Sequence, residues 1–232
     1  REIHGYLLQN GRGSASNPGE FRTTQNWIGP TGCTLTTATF VPPAVPEMMD
    51  ALGELEKFFY DESEIPALIK IGLIHAQFET IHPFLDGNGR MGRLLITFWL
   101  CQQQILSEPL LYLSFYFKQN RQEYYDRLMN VRIKGQWEEW IKFFLRGIAV
   151  VADEATNSAK EILALKSRIQ QELYDEGNAN GVNLLEKLFY HPVITRKKIS
   201  ELMSVTHPTA GALIEEFVKK GILADLNPTR QR

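Results

Sequence analysis

The residues best suited to chemistry lie close together in one stretch, TIHPFLDGNGRMGRLLI, at positions 80–96. His82 is the side chain there that can take a proton near neutral pH. Asp86 supplies a carboxylate, and Mg²⁺ at phosphate sites is commonly held by one or two carboxylates together with phosphate oxygens and water. Arg90 and Arg93 would share one face of a helix and could bind successive phosphates. This set is typical of nucleotidyl or phosphoryl transfer.

The segment PFLDGNG predicts a tight loop that leads into the N-terminus of a helix. Free N–H groups and the helix dipole favour an anion at such a terminus. Gly87 and Gly89 let the backbone approach a phosphate without a side-chain clash, and Asn88 adds a side-chain donor. The loop therefore predicts a phosphate site beside the residues that could act on it.

Each of these features also has a purely structural interpretation. A histidine at a helix end is usually a cap, Gly-Asn-Gly is usually a turn, and paired arginines usually lie on a solvated face. Their occurrence together in one ordered set favours the functional interpretation. Phe84 is expected to anchor the loop in the core. Glu79 and His75, one and two turns before His82, are expected in the core or behind the catalytic residues, and their spacing lacks the adjacent glutamate of the zinc protease pattern.

The segment HPFLDGNGRMGR, residues 82–93, resembles the signature of the Fic family, His-x-Phe-x-Asp/Glu-Gly-Asn-Gly-Arg-x-x-Arg, at every defined position. The resemblance extends through PGEFR and FVPP to the following helices and covers residues 1–150. It implies a mainly α fold in which a Fic-type helical core carries a β-hairpin flap. It also implies transfer of AMP from ATP to a Ser, Thr or Tyr hydroxyl of a target protein or of the protein itself, with release of pyrophosphate.

By this resemblance His82 removes the proton of the target hydroxyl, and Asp86 holds the Mg²⁺ that bridges the α- and β-phosphates of ATP. Relatives that phosphorylate often carry Lys in place of the second glycine of the motif, whereas Gly89 is intact, which favours AMP transfer. Gly87, Asn88 and Gly89 would form an anion hole for the phosphates of ATP. Arg90 would contact these phosphates as well, and Arg93 would bind the γ-phosphate.

The predicted hairpin at residues 26–41 resembles the flap of the family, which pairs with an extended segment of the target by β-augmentation. Thr34, Leu35 and Thr36 are the residues expected to dock the target, and a plain structural hairpin is the alternative. The inhibitory Ser/Thr-x-x-x-Glu-Gly/Asn helix of the family is not accepted at Glu176, because Glu172 stands where Ser or Thr is required. The chain begins at Arg1 within a helical pattern, so we expect a missing upstream segment that could carry this helix.

The rest of the chain predicts a mostly helical protein. A hydrophobic content of 44% can bury a core, and a formal net charge of −2 gives no global attraction to nucleic acid or to a membrane surface. Cys33 and Cys101 are too few for a disulfide framework, which favours the cytoplasm, and the apolar run LLITFWL is far shorter than the roughly 20 residues of a membrane span. Apolar periodicity predicts helices at 1–8, 47–60, 66–81, 90–106, 112–133 and 137–173.

The C-terminal part, residues 181–232, resembles a small winged helix-turn-helix domain, joined to the core by a linker helix at 151–180. Three short helices at 183–192, 195–203 and 207–221 would be followed by a strand, ILADL, and by a wing that stops early at NPTRQR. Contacts to DNA would come from Arg196, Lys197, Lys198, His207 and Thr209.

Two interpretations of this part stay open. From residue 183 onward the chain has eight Lys or Arg and five Asp or Glu, which is only a mild positive charge. Glu215 and Glu216 would repel DNA phosphates. A module that binds a protein partner or forms a homo-oligomer explains the pattern equally well. The alternative to an adenylyltransferase is therefore a DNA-binding transcriptional regulator whose Fic core senses nucleotide or is inactive. DNA binding that depends on salt and on DNA sequence, and that His82→Ala does not change, would favour this alternative.

Overall fold

The computed structural model describes residues 1–9, 13–14, 16–62 and 64–226. Within these ranges the chain forms ten α-helices and one isolated antiparallel bridge, so the prediction of a mainly α protein is confirmed. The helices are α1 Glu2–Leu8, α2 Val45–Tyr60, α3 Ala67–Ile81, α4 Asn88–Gln102, α5 Leu113–Gln119, α6 Arg121–Lys134, α7 Trp137–Asp175, α8 Ala179–Tyr190, α9 Arg196–Met203 and α10 His207–Lys219.

The chain divides into two compact units, Arg1–Thr156 and Asn157–Arg232, each with its own apolar core. The division falls inside α7, a continuous helix of 39 residues, where the sequence predicts a helix at 137–173. The domain limits at 150 and 180 that the sequence suggests stay predictions.

Helix α3 is the central element of the first unit, where it contacts α2, α4 and α6. Its sequence, ALIKIGLIHAQFETI, is apolar around most of its circumference, and such a helix is stable only when it is covered on every side. Gly72 permits one of the closest approaches, because a β-carbon there would lie 2.9 Å from Cδ1 of Ile141 and 3.0 Å from Cδ1 of Phe144. His75 and Glu79 are buried on this helix, as expected.

The helix predicted at 112–133 is two helices, α5 and α6, separated at Asn120. This residue has φ −105° and ψ 38°, outside the helical region, and its side chain Nδ2 donates to the carbonyl of Tyr116 at 3.0 Å. An asparagine side chain can take the place of a backbone hydrogen bond of a helix and so end the helix. The apolar residues keep their helical spacing on both sides, so the sequence pattern does not reveal the break.

The predicted β-hairpin is reduced to a single antiparallel bridge between Ile28 and Phe40, with N–H···O distances of 2.8 and 3.0 Å. In the described part of the chain no ladder extends from it. Pro30 lacks an N–H group, and the N–H and carbonyl groups of Thr34 are bound within a turn to Thr37. These local bonds use the backbone groups that two paired strands would need.

The second unit contains α8, α9 and α10, which confirm the three predicted short helices. Ser204 takes a left-handed conformation at φ 54° and ends α9, and the side chain of Thr206 caps α10. Both lie in the interval between the predicted helices at 195–203 and 207–221. The side chains of Leu184, Ile199 and Phe217 form the centre of the core of this unit.

The predicted strand at 222–226 is wrong, because these residues form no strand. The N–H groups of Ile222 and Leu223 donate to the carbonyl of Phe217 at 2.9 and 3.1 Å, and both side chains pack on the second core. The segment therefore closes the C-terminus of α10 instead of pairing. The rest of the predicted wing, at 227–232, lies outside the described residues.

None of the helices in the described ranges combines the length and the apolar character that a membrane span requires.

Trp140 should contribute strongly to the stability of the first unit. Its ring is fully buried, and Nε1 donates to the carbonyl of Gly72 at 2.9 Å. We expect Trp140→Phe to lower the free energy of unfolding by about 2–4 kcal/mol, because it leaves a cavity and removes the buried hydrogen bond to the Gly72 carbonyl. Urea unfolding followed by circular dichroism would measure this loss. Trp137→Phe is the matched control, since Trp137 is 37% exposed; equal losses in the two variants would contradict the assignment.

Candidate functional site

His82 lies at the point where α3 ends and the loop begins. Its backbone is left-handed, with φ 51° and ψ 61°, and its N–H donates to the carbonyl of Phe78 at 3.0 Å. A residue with a β-carbon rarely takes this conformation, so other contacts must stabilise it.

The side chain of Arg22 supplies those contacts. It is 2% exposed, and Nε donates to the carbonyl of His82 at 3.1 Å, while the other guanidinium nitrogens bind the carbonyls of Thr24 and Pro43. The backbone N–H of Arg22 donates to the carbonyl of Pro83 at 2.9 Å. One buried cation therefore holds three segments together at the start of the loop. Arg22 is in the quoted PGEFR segment, but the sequence assigns it no role.

The loop after His82 is held from inside by Asn88. Its Oδ1 accepts the N–H of Phe84 at 2.9 Å, and its Nδ2 donates to the carbonyl of Phe84 at 2.7 Å. Asn26 adds a bond from Nδ2 to the same carbonyl at 2.9 Å. The ring of Phe84 is 2% exposed, which confirms the expected anchor. The Asn88 side chain, expected as a phosphate donor, is thus engaged in fixing the loop.

His4 packs on the other side of this loop. Its ring is fully buried and stacks on Phe84 at a centroid distance of 3.7 Å. The N–H of Gly19 donates to Nδ1 at 2.9 Å, so the proton lies on Nε2, which donates to the carbonyl of Asp86 at 2.9 Å. Nothing in the sequence near His4 signals this contact, because its partners lie up to 82 residues away.

The loop ends at Asp86 and Gly87. Oδ1 of Asp86 accepts the N–H of Gly87 at 2.6 Å, and Oδ2 lies 3.8 Å from Nη2 of Arg90. Gly87 has φ 84°, a conformation that favours glycine, and helix α4 begins with the next residue. The predicted arrangement, a glycine-rich turn that leads into a helix N-terminus, is therefore present.

Arg93 lies one turn into α4, with Nε donating to the hydroxyl of Ser114 at 3.1 Å. Its guanidinium lies against Gly89, where a β-carbon would be 3.1 Å from Nη1. The glycine therefore leaves the space that this arginine occupies.

The motif residues surround one cavity of about 370 Å³. Its walls also include Trp27, Ile28 and Gly29, from the segment that carries the isolated bridge, and Tyr125, Leu128 and Arg132 from α6. All seven residues to which the sequence assigns base, metal or nucleotide roles line it: His82, Asp86, Gly87, Asn88, Gly89, Arg90 and Arg93.

Burial and charge set the ionisation of the two groups deepest in this cavity. Burial lowers the pKa of His82 to about 4, with Arg132 and Arg22 acting in the same direction and the Asp86 carboxylate opposing them. Burial raises the pKa of Glu79 to about 7, against the influence of Arg93 and Arg132. At neutral pH the His82 ring is therefore uncharged and able to accept a proton.

Arg132, in the cavity wall, is another residue that the sequence does not single out. Its Nη2 donates to the backbone carbonyl of Glu79 at 2.9 Å, and its guanidinium lies 3.9 Å from the ring centroid of Phe40. It thereby connects α6 with the end of α3 and with the bridge segment. Its distance along the chain from the motif explains why the motif alone does not reveal it.

The residues expected to dock the target do not line this cavity. Thr34, Leu35 and Thr36 lie in a turn, where the hydroxyls of Thr34 and Thr36 are 2.9 Å apart. The backbone groups of Thr34 are bound to Thr37. The bridge residue Ile28 and its neighbours Trp27 and Gly29 line the cavity in their place.

The residues proposed to contact DNA lie in the second unit. Arg196, Lys197 and Lys198 form the exposed first turn of α9, and Nη2 of Arg196 lies 3.5 Å from Oε1 of Glu215. His207 begins α10, while the hydroxyl of Thr209 is 2.9 Å from that of Thr206 in the helix cap. Part of this set is therefore used within the unit itself.

Residues 1–100 match the model of the Fic/DOC family. The chain is 34% identical over 70 residues to a probable protein adenylyltransferase of Aquifex aeolicus, which covers 30% of this chain and 22% of that protein. It is 31% identical over 97 residues to the protein adenylyltransferase fic-1 of Caenorhabditis elegans, which covers 41% of this chain and 17% of that protein. The chain thus spans less than a quarter of the length of these curated relatives.

Solved structures share the fold. A crystal structure of a Fic family protein from Desulfovibrio desulfuricans G20 aligns with 100% of this chain and 64% of that chain, with a TM-score of 0.59 and 18% identity. A fragment of Fic-1 from C. elegans aligns with 69% of this chain and 42% of that chain, with a TM-score of 0.50 and 23% identity.

Gly92 should be required for the packing of α4 behind the cavity. A β-carbon there would lie 2.7 Å from Oε1 of Glu79 and 3.2 Å from Cδ1 of Phe78. We expect Gly92→Ala to destabilise the protein by about 1–3 kcal/mol through overpacking. Gly53→Ala is the control, because a β-carbon at that position in α2 meets nothing within 4 Å and alanine should add about 0.5–1 kcal/mol of helix propensity. Urea unfolding should show a lower free energy of unfolding for Gly92→Ala and a higher one for Gly53→Ala. A higher free energy of unfolding in both variants would refute the close contact at Gly92.

Proposed function

We propose that the protein, whose residues 1–100 match the model of the Fic/DOC family, is a protein adenylyltransferase. It would transfer AMP from ATP to a Ser, Thr or Tyr hydroxyl of a target protein or of itself and release pyrophosphate. The observation that carries the proposal is the single cavity in which a neutral histidine, a carboxylate, a helix N-terminus and two arginines meet. We expect the reaction in the cytoplasm, since both cysteines are free, as a reducing compartment would keep them.

The proposed chemistry needs one proton acceptor and much charge stabilisation. The target oxygen forms a bond to the α-phosphorus of ATP, the bond from that phosphorus to the bridging oxygen breaks, and its electron pair leaves with pyrophosphate. The hydroxyl proton passes to Nε2 of His82. A histidine whose pKa is about 4 is a weak base, but the loose transition state of phosphoryl-type transfer needs little proton removal before the leaving group departs.

The backbone and the arginines would hold the triphosphate. The N-terminus of α4 presents the N–H groups of Gly89 and Arg90 in its first turn, where an anion is favoured. Arg93 is assigned to the γ-phosphate. A β-carbon at Gly89 would push against the Arg93 guanidinium, which supports a role for this glycine in placing that arginine on the nucleotide.

Asp86 suits a shared magnesium site. Its side chain is 32% exposed and lines the cavity, so one carboxylate could complete a coordination shell of phosphate oxygens and water. In the described ranges no group of three or more His, Cys, Asp or Glu could hold a metal ion, so the remaining ligands would have to come from ATP and water. Bound there, Mg²⁺ would neutralise negative charge on the phosphates.

DNA binding by the second unit is a separate proposal that the transfer reaction does not require. The exposed Lys197 and Lys198 favour it, while Glu215 beside Arg196 opposes it. A protein partner or a second copy of the chain is the alternative occupant.

His82→Ala should abolish transfer and spare ATP binding. We expect a loss of about 10²–10⁴-fold in the rate of AMP transfer, because the proton acceptor is removed, and a change in the Kd for ATP of less than about threefold. Intact mass after incubation with Mg²⁺ and ATP, alone and with a cell lysate, would detect AMP on the protein or on a target. Calorimetry would give the Kd. Equal labelling in the variant and the unchanged protein would contradict the proposed role of His82.

Arg93→Met should weaken the binding of ATP but not that of ADP. If Arg93 binds the γ-phosphate, the variant loses about 1.5–3 kcal/mol of ATP affinity and keeps its ADP affinity, because ADP lacks that group. Calorimetry with both nucleotides in Mg²⁺ would test this. Arg146→Met on the exposed side of α7 is the control for loss of an arginine. An equal loss for ATP and ADP would place Arg93 on another phosphate.

A further inference from the structure

The side chain of Glu79 is an ionisable group of the cavity that the proposed reaction leaves unused. It lies one turn before His82 on α3 and is only 6% exposed. Its Oε1 is buried without a hydrogen-bond partner among the described residues, and its Oε2 lies 4.0 Å from Nδ1 of His82. A buried carboxylate in this state is costly to the fold, so a structural role alone does not explain it.

The backbone of Glu79 also lies close to the His82 ring. The backbone carbonyl of Glu79 is 3.4 Å from Nδ1, so a proton on Nδ1 is directed toward it. This tautomer leaves the lone pair on Nε2, the nitrogen that would take the hydroxyl proton. Carbonyl and carboxylate of one residue therefore lie beside the nitrogen that does not react.

We propose that Glu79 is a positioning residue for His82, whose carbonyl fixes the Nδ1–H tautomer and whose ionised carboxylate stabilises the ring when it becomes a cation. The inference rests on the proposed transfer reaction. The hydroxyl proton moves to Nε2, the Nδ1 proton stays in place, and Glu79 neither gains nor loses a proton. The ring is reset when the Nε2 proton leaves to solvent. Burial, Arg132 and Arg22 all oppose a cationic ring at this position. The carboxylate of Glu79, with Oε2 4.0 Å from Nδ1, would offset them.

The charges around Glu79 set the pH at which this can occur. Arg93 faces it from α4, and Arg132 and Tyr124 face it from α6. His75 lies on its own helix, and His82 follows the last residue of that helix. Burial raises the pKa of Glu79 to about 7. Because the ionised form is the active one and His82 is already neutral there, transfer should rise with pH through neutrality.

The pH dependence of kcat/KM tests the proposal against a merely structural role. Glu79→Gln keeps the size and the hydrogen-bonding capacity of the side chain and removes the charge. We expect a rate loss on the order of 10–100-fold at pH 8, as found for hydrogen-bond partners of metal-bound histidines, with an unchanged Kd for ATP. The rise near pH 7 should disappear from the variant.

Two further variants complete the kinetic test. Glu47→Gln, on the exposed start of α2, should keep the rate and the profile of the unchanged protein. Glu79→Asp keeps a carboxylate at a greater distance and should retain the step with an intermediate rate, and it also replaces Glu79→Gln if that variant fails to fold. A rate within twofold of the unchanged protein, or a rise near pH 7 that persists in Glu79→Gln, overturns the proposal.

A nucleotide-free measurement separates this proposal from the proposed function. In protein labelled with ¹⁵N-histidine, the ring signals of His82 should shift near pH 7 as Glu79 ionises, and the shift should be absent in Glu79→Gln. Absence of the shift in the unchanged protein, or its persistence in the variant, overturns the pairing whatever the activity. A shift that depends on Glu79 in a protein that transfers no AMP supports the pairing and refutes the proposed function.

Discussion

The left-handed backbone of His82 depends on the buried guanidinium of Arg22. A residue with a β-carbon is disfavoured at φ 51°, and the bond from Nε of Arg22 to the His82 carbonyl helps to stabilise this conformation. The same cation binds carbonyls on either side of the bridge segment, so the end of α3, the loop and that segment share one anchor. Bonds from His4, Asn26 and Asn88 then hold the rest of the loop up to the N-terminus of α4.

Positive charge dominates the surroundings of the cavity. Arg90, Arg93 and Arg132 line it, and Arg22 lies behind it. This field favours a polyphosphate. Burial keeps the ring of His82 neutral, and Arg132 and Arg22 act in the same direction. The carboxylates of Glu79 and Asp86 are the local exceptions to that field.

Local sequence determines most of the helices but not which backbone groups bond to each other outside them. The apolar periodicity of α2, α3 and α4 places these helices correctly, because a helix is specified by contacts within a few residues. The break at Asn120 and the missing strand at 222–226 could not be foreseen, since each depends on which backbone group a carbonyl or an N–H finds. The hairpin is reduced to one bridge for the same reason.

The sequence by itself determined the candidate site, because its motif is continuous: His82 to Arg93 are brought together by a loop and one helix turn, whatever the rest of the chain does. Only the tertiary structure decided what holds and tunes them. His4, Arg22 and Arg132 lie up to 82 residues from their partners in the motif region, and no spacing rule connects such positions. Burial likewise sets the pKa values of Glu79 and His82, and burial is a property of the packed chain rather than of neighbouring letters.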